Sequence, residues 1–275
     1  MDMPRLPGPG EEVKTKSFAR TVGGGALITS VAFARLGLRA QIVSALGPEA
    51  VTRLRRERVR VTNLRRPGEP HAITAALSTR RDRSFATFVG VNAALEPRYR
   101  SALARVAARH VHLTFPPIDP ALWVPVVERL RRQGVTTSWD FGWDDRLARD
   151  LRLLSLAQSV DYLFLNEKEA PLYSGARSLA ASIGFWKAHA RNAVIKLGRR
   201  GSRWISASLD LRAPAPRVTA IDTTGAGDAF DGGFLFGVLS GRSRLDCLRL
   251  GNRVGALSTR SAGGVDALPH RKDVL

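Results

Sequence analysis

Apolar residues along this chain follow two periods that take turns. From Ala26 to Leu36 they fall at helical spacing, and Gly37 supplies a stop. Gln41 to Leu46 reads as a short apolar strand, and an Arg-rich helix follows around Glu49 to Arg58. Two strand-like runs, His71 to Leu77 and Ser84 to Val89, flank the polar stretch 78–83 and predict a hairpin. Strand and helix patterns then alternate. Strands are predicted at His110–Leu113, Thr136–Trp139, Tyr162–Leu165 and Ala193–Lys196. Helices are predicted at Ala121–Gln133, around Asp145–Leu156, at Lys168–Tyr173 and at Ser178–Arg191. Such alternation predicts an α/β fold with a mainly parallel sheet covered by helices on both faces. Residues 1–10 are rich in Pro and Gly and read as irregular, while Glu12 to Val22 reads as a further strand that joins the hairpin in a small separate sheet. In open sheets of this kind a ligand lies beyond the carboxyl ends of the strands, so the residues just after them are the ones to search.

Composition narrows the picture. At 275 residues and 44% hydrophobic content, the chain suffices for one large domain with a proper core. No uninterrupted apolar run reaches the roughly 18–20 residues that span a bilayer, and the N-terminus lacks the apolar core of a signal peptide. A cytoplasmic protein with no membrane partner is the expectation. Cys247, the only cysteine, cannot form an intramolecular disulfide or a thiolate metal cluster. The formal charge of +19 raises nucleic acid as a partner. However, only six of the 43 basic residues are lysines, they are spread along the chain, and no aromatic residues interleave them as in a base-stacking platform. Arg-for-Lys replacement through coding bias accounts for the charge, so no nucleic-acid partner is expected.

The most informative run is Asp222-Thr223-Thr224-Gly225-Ala226-Gly227-Asp228-Ala229-Phe230. It follows an extended segment, Arg217 to Ile221, and precedes a helical stretch, Ala229 to Leu239. A glycine-rich turn before a helix presents backbone N–H groups at the positive end of the helix dipole, which suits a phosphate. A carboxylate at that position repels phosphate, so Asp228 needs a reason. Taking a proton from a hydroxyl that attacks the phosphate is one; capping the helix is the plainer one.

The stretch 222–234 resembles the second signature of the PfkB carbohydrate kinase family, whose fold is ribokinase-like, a three-layer α/β/α sandwich with a small β lid. Gly23-Gly24 with the helix running to Gly37 is similar to the family's first signature, and Gly90–Leu95 to the segment after its lid strands. Asn166–Ala170 resembles its Asn-x-x-Glu motif, 194–201 its nucleotide-side strand and turn, and 251–257 with Gly263-Gly264 its C-terminal helix and loop. The resemblance spans nearly the whole chain, from about Pro7 onward, and implies one kinase domain over 1–275 with lid strands around 12–22 and 71–89.

The implied reaction moves the γ-phosphoryl of Mg·ATP to a hydroxyl of a sugar. On this resemblance Asp228 is the catalytic base, and Gly225, Ala226 and Gly227 supply amides around the phosphoryl group. Asn166 and Glu169 organise Mg2+ through water, although Asn followed three residues later by Glu is equally a capping box. Lys196, Gly198 and Gly201 fall on the nucleotide side. Asn252 matches a position lining the adenine pocket, or is simply a polar helix-surface residue. Gly23 and Gly24 fall on the acceptor side, where Asp140 could add a polar contact. Asp222 and Thr223 match a monovalent-cation (K+) site that is optional in the family. Lid strands often pair between subunits in this family, which leaves a homodimer open.

Two departures stand out. Family members begin with a strand ending near an Asp that binds sugar hydroxyls, whereas Pro4–Val13 resembles the segment after it. The chain is therefore expected to lack this central strand, through a start assigned too far downstream or a truncated gene, and to expose two sheet edges. Ile28 stands where the first signature has an Asn facing the sugar, and it can make no side-chain hydrogen bond. The acceptor is then expected to be less polar than ribose, to be bound differently, or not to be phosphorylated. The rival readings are a nucleoside (adenosine-like) kinase and a catalytically impaired nucleotide-binding protein of the same fold.

Overall fold

The computed structural model describes residues 3–15, 18–79 and 83–275. Its strands are β1 (Gln41–Ser44), β2 (Arg60–Asn63), β3 (Ile73–Ser78), β4 (Arg83–Phe88), β5 (His110–Thr114), β6 (Thr136–Asp140), β7 (Tyr162–Asn166), β8 (Ala193–Lys196), β9 (Ser202–Ser206) and β10 (Leu209–Ala213). The helices are α1 (Gly25–Arg35), α2 (Pro48–Arg56), α3 (Glu96–Leu103), α4 (Val124–Arg132), α5 (Arg152–Ser159), α6 (Glu169–Ser174), α7 (Leu179–His189), α8 (Ala226–Leu239), α9 (Arg244–Ser258) and α10 (Arg271–Val274).

Six strands form the central sheet in the order β10-β9-β8-β7-β6-β5. β5 to β8 run parallel, and β9 and β10 are added antiparallel at one side. The central strands β7 and β8 are largely apolar because both faces are covered, whereas β6 carries Thr136, Thr137, Ser138 and Asp140. Alternate residues part company: Leu163, Leu165, Ala193 and Ile195 join a core with α4, α5, α6 and α7. Phe164 and Val194 face the other way, into a core with Phe230, Phe234, Cys247 and Leu248 of α8 and α9. This is the expected mainly parallel sheet between two helical layers. Among the described residues, no helix is long and apolar enough to cross a membrane.

Several expectations are corrected. In Glu12–Val22 no described residue joins a strand; residues 16 and 17 lie outside the described residues, as do 80–82 of the predicted hairpin turn. Arg217–Ile221 pairs with no strand either. Instead Ile221 and Asp222 both donate their amides to the Thr259 carbonyl at 2.8 and 3.0 Å, so helix α9 satisfies this backbone in place of a ladder. The sequence reading passed over α3 and the β9–β10 hairpin. The 71–89 hairpin forms as β3 paired antiparallel with β4.

The expected open edges are present. Among the described residues β1 pairs only with β2, and β5 only with β6. Both free edges line one trough of about 2960 Å3, which Phe33 of α1 also lines. That volume exceeds the roughly 300–1,000 Å3 of a small-molecule pocket, so the trough is more than a ligand site.

Helix α8 lies closest to its neighbours where it carries glycine. A Cβ at Gly233 would stand 2.7 Å from the Leu250 carbonyl oxygen and 2.8 Å from Val254 Cβ of α9. Gly184 in α7 has nothing within 4 Å of that position. Gly233→Ala should therefore destabilise the protein by about 1–3 kcal/mol through overpacking. Gly184→Ala should stabilise it by about 0.5–1 kcal/mol through helix propensity and chain entropy. Thermal or denaturant unfolding of the two variants should shift in opposite directions.

Candidate active site

The turn ahead of α8 is shaped by its own residues. Gly225 adopts φ 73°, the left-handed region, and a Cβ there would collide with Ile28 Cδ1. Asp222 laces the turn to the C-terminal loop, its Oδ1 accepting from Thr224 N at 2.7 Å and its Oδ2 from Gly263 N at 2.9 Å. A monovalent cation at Asp222 and Thr223 would share oxygens that already serve these amides. Of the three expected phosphate-facing amides, Ala226 N donates to the Thr223 carbonyl at 3.2 Å. Gly225 N and Gly227 N have no backbone partner among the described residues, and they are the donors available to an anion.

Asp228 is half-buried in the first turn of α8, where three elements meet. A Cβ at Gly25, the first residue of α1, would lie 2.6 Å from Asp228 Oδ1 and 2.9 Å from Thr114 Oγ1 at the end of β5. Thr29 Oγ1 of α1 donates to the Asp228 carbonyl at 3.0 Å. Neither Gly25 nor Thr114 was singled out from the sequence; the third glycine of the 23–25 run was the available signal for the first. Gly23 and Gly24 are exposed and, with Gly25 and Thr114, line the end of the trough. The acceptor side of the site is thus continuous with the open strand edges.

Ile28 is among the residues that line the trough, alongside Gly23 and Gly24. It is 2% exposed, and its Cδ1 packs against the backbone of Gly225 and Gly264, where it wedges α1 under the anion turn.

The strand-end polar residues form a buried charge cluster. Lys196 Nζ donates to Asp140 Oδ2 at 2.6 Å and lies 3.2 Å from each carboxylate oxygen of Asp231. Three acceptor oxygens thus surround an ammonium that has three protons. Asp140 also accepts from Gly142 N at 3.0 Å, so each of its oxygens has a partner inside the protein. Asp231, wholly buried, was missed from the sequence, although it lies one helical turn beyond Asp228.

Asn166 and Glu169 form the reciprocal capping box. Asn166 Oδ1 accepts from Lys168 N and Glu169 N at 2.8 and 2.9 Å, and Glu169 Oε2 accepts from Asn166 N at 2.8 Å. Gly198 and Gly201 adopt φ 57° and 92° in the turn after β8, with Gly201 pressed on the Ala213 carbonyl. Asn252 is buried and donates through Nδ2 to the carbonyls of Ala213 and Pro214 at 3.0 and 3.3 Å. It braces the wall behind that turn, and this donor is not free for an adenine.

Four acids and one lysine in a dry setting shift one another's titration. Burial, then the nearby Asp140 charge, pushes Asp228 up to about 7, with Lys196 opposing. Glu169 is pushed up to about 7 by burial and then by Asp140. Burial also raises Asp231 well above the usual carboxylate range. Burial works against the Asp140 carboxylate and against the Lys196 ammonium, yet their mutual attraction wins and keeps both charged. His112 and His110 are driven down to about 3 by burial and are neutral.

The family model described as pfkB family carbohydrate kinase matches residues 3–271. The chain belongs to this family. It is 26% identical to the 2-dehydro-3-deoxygluconokinase of Bacillus subtilis over 283 residues, which cover 94% of this chain and 87% of that protein. The structure of a Burkholderia thailandensis nucleoside kinase in complex with inosine aligns with a TM-score of 0.82 and 23% identity, covering 99% of this chain and 92% of that one. An Arabidopsis thaliana ribokinase complexed with ribose and ATP aligns with a TM-score of 0.77 and 24% identity, covering 99% and 92%. The ribokinase-like fold and the phosphotransferase class read from the sequence are both borne out.

Gly25→Ala sets a methyl against the Asp228 carboxylate and should lower turnover about 100-fold, the cost of a displacement of order 1 Å. Melting should fall as well, through overpacking against Asp228 and Thr114 of about 1–3 kcal/mol; steady-state kinetics on the folded protein alongside a thermal melt checks both.

Proposed function

We propose that this protein transfers the γ-phosphoryl group of ATP to a hydroxyl of a sugar, with Asp228 as general base. The observation that carries this reading is the Asp228 carboxylate itself. It stands at the mouth of an amide-lined turn, beside the cleft at Gly23 and Gly24, with its pKa raised to about 7. A base near neutrality can take a proton and pass it on.

In this mechanism Asp228 removes the acceptor hydroxyl proton as the oxygen attacks the γ-phosphorus. The bond to the bridging oxygen breaks and ADP leaves. The Gly225 and Gly227 amides receive charge on the transferring phosphoryl oxygens, and Asp228 afterwards releases its proton to solvent. Mg2+, when bound, would neutralise phosphate charge. Glu169 suits its support through water, because Asn166 N engages only one oxygen of this buried carboxyl. Asn166 suits the cap better, since two amides occupy its carbonyl oxygen. The Gly198–Gly201 turn would border the nucleotide. The β3–β4 hairpin would act as the lid, and its exposed Ile73, Phe85 and Phe88 would suit a homodimer through that surface.

A nucleoside acceptor is the second reading. Ile73, Phe85 and Val89 line the trough with apolar surface that a base could cover.

ADP release should be measured with a panel of sugars and nucleosides. Turnover with a sugar is expected; turnover with nucleosides alone would favour the second reading, and none at all would sink both. Asp228→Asn should cost about 10²–10⁴-fold in kcat, the usual worth of a general base. Because the base must be ionised, kcat/KM should fall as pH drops through about 7, instead of near the ordinary carboxylate value of 3.8.

A further inference from the structure

Lys196 was expected on the nucleotide side, yet its ammonium is engaged inside the protein. It bridges Asp140, at the end of β6, to Asp231, in the second turn of α8. Its side chain is 12% exposed, while those of Asp140 and Asp231 are 11% and 0% exposed. The Nζ atom also lies 3.3 Å from the Cβ position of Gly227, directly under the amide turn, and 5.7 Å from the Phe164 ring centre. Such a group, held by sheet and helix at once, cannot move without moving the turn above it.

We propose that Lys196 is a positioning residue, a clamp that ties Asp140 of the sheet to Asp231 of α8 and so holds the 225–228 turn over the strand ends. Geometry supports a clamp over a mere ion pair. The two carboxylates come from different layers of the sandwich, and both flank the residues proposed to act on the phosphoryl group. Removing Lys196 alone leaves the Asp140 charge buried without its partner, which is strongly destabilising. Removing both Lys196 and the Asp140 charge cures that cost but leaves the turn unclamped. The inference rests on the kinase reading for its kinetic consequence, though not for its structural one.

The test compares wild type, Lys196→Met, and Lys196→Met combined with Asp140→Asn. Each is followed by thermal melting, by amide exchange of the segment 223–229, and by ADP release from ATP with the best acceptor of the panel. The single variant should melt lower, and its turn should exchange at least about tenfold faster. The double variant should melt higher than the single one, though below wild type because Asp231 still lacks its lysine, and should keep the fast-exchanging turn. Its kcat should stay about 100-fold down, with KM for ATP within a factor of about three. If the double variant recovers the exchange protection and kcat together with stability, the bridge is only structural and the proposal is wrong. If KM for ATP rises as far as kcat falls, Lys196 serves the nucleotide directly, and the proposal is again wrong. A wild-type protein that turns over no acceptor would refute the kinase reading; the exchange comparison would still decide for or against the clamp.

Discussion

The site depends first on how closely helix α8 can lie on its neighbours. Gly232 faces Ala32 of α1, Gly233 faces the Leu250 carbonyl of α9, and Gly237 faces Cys247. From the other side, Gly251 and Gly255 of α9 leave room for Phe230. At each crossing a glycine leaves no room for a side chain of its own, so the helices lie in direct contact and dispersion holds α8 in place. Only with that seating can Asp228 reach Gly25 and Thr114 while Asp231, one turn on, reaches Lys196. The glycines cost helix propensity, and the packing across two helices offsets it.

That seating gathers four carboxyl groups around one ammonium. In such a setting water cannot spread the charge, so the groups settle it among themselves. Asp140 keeps its charge because Lys196 is in hydrogen-bond contact. Asp228 and Glu169 lack that contact and feel Asp140, so they bind protons more tightly than free acids do. The upward shift of Asp228 therefore comes first from its burial and then from the charge of a neighbouring carboxylate. Neutral His110 and His112 extend the polar seam away from the site, linked through Ser138 Oγ at 2.8 and 2.7 Å.

Much of the fold was legible. The runs at 162–165 and 193–196 could be recognised as buried parallel strands because both faces of the sheet are covered, and the structure divides their residues between two cores. The Asn166–Glu169 box was legible as a cap because a spacing of three closes a local ring of hydrogen bonds. The failures also have causes. Glu12–Val22 and Arg217–Ile221 carry strand-like patterns, but a strand exists only through a partner, and the carbonyl of Thr259 took the place of one for the second segment. The burial of Asn252, whose amide is directed by the Ala213 and Pro214 carbonyls, could not be told from a surface position by spacing alone.

By itself the sequence determined the alternation of strands and helices from β5 to β8, the glycine turn with Asp228 at its edge, and the capping box, since each follows from spacing along a few residues of chain. Only the tertiary structure decided that Lys196 serves Asp140 and Asp231, that Asp140 is a strut, that Gly25 makes room for the Asp228 carboxylate, and that the edges of β1 and β5 face a common trough. The reason is physical. Local hydrogen-bond geometry is dictated by the backbone, whereas a buried charge takes whichever partners the packing of distant segments brings within reach.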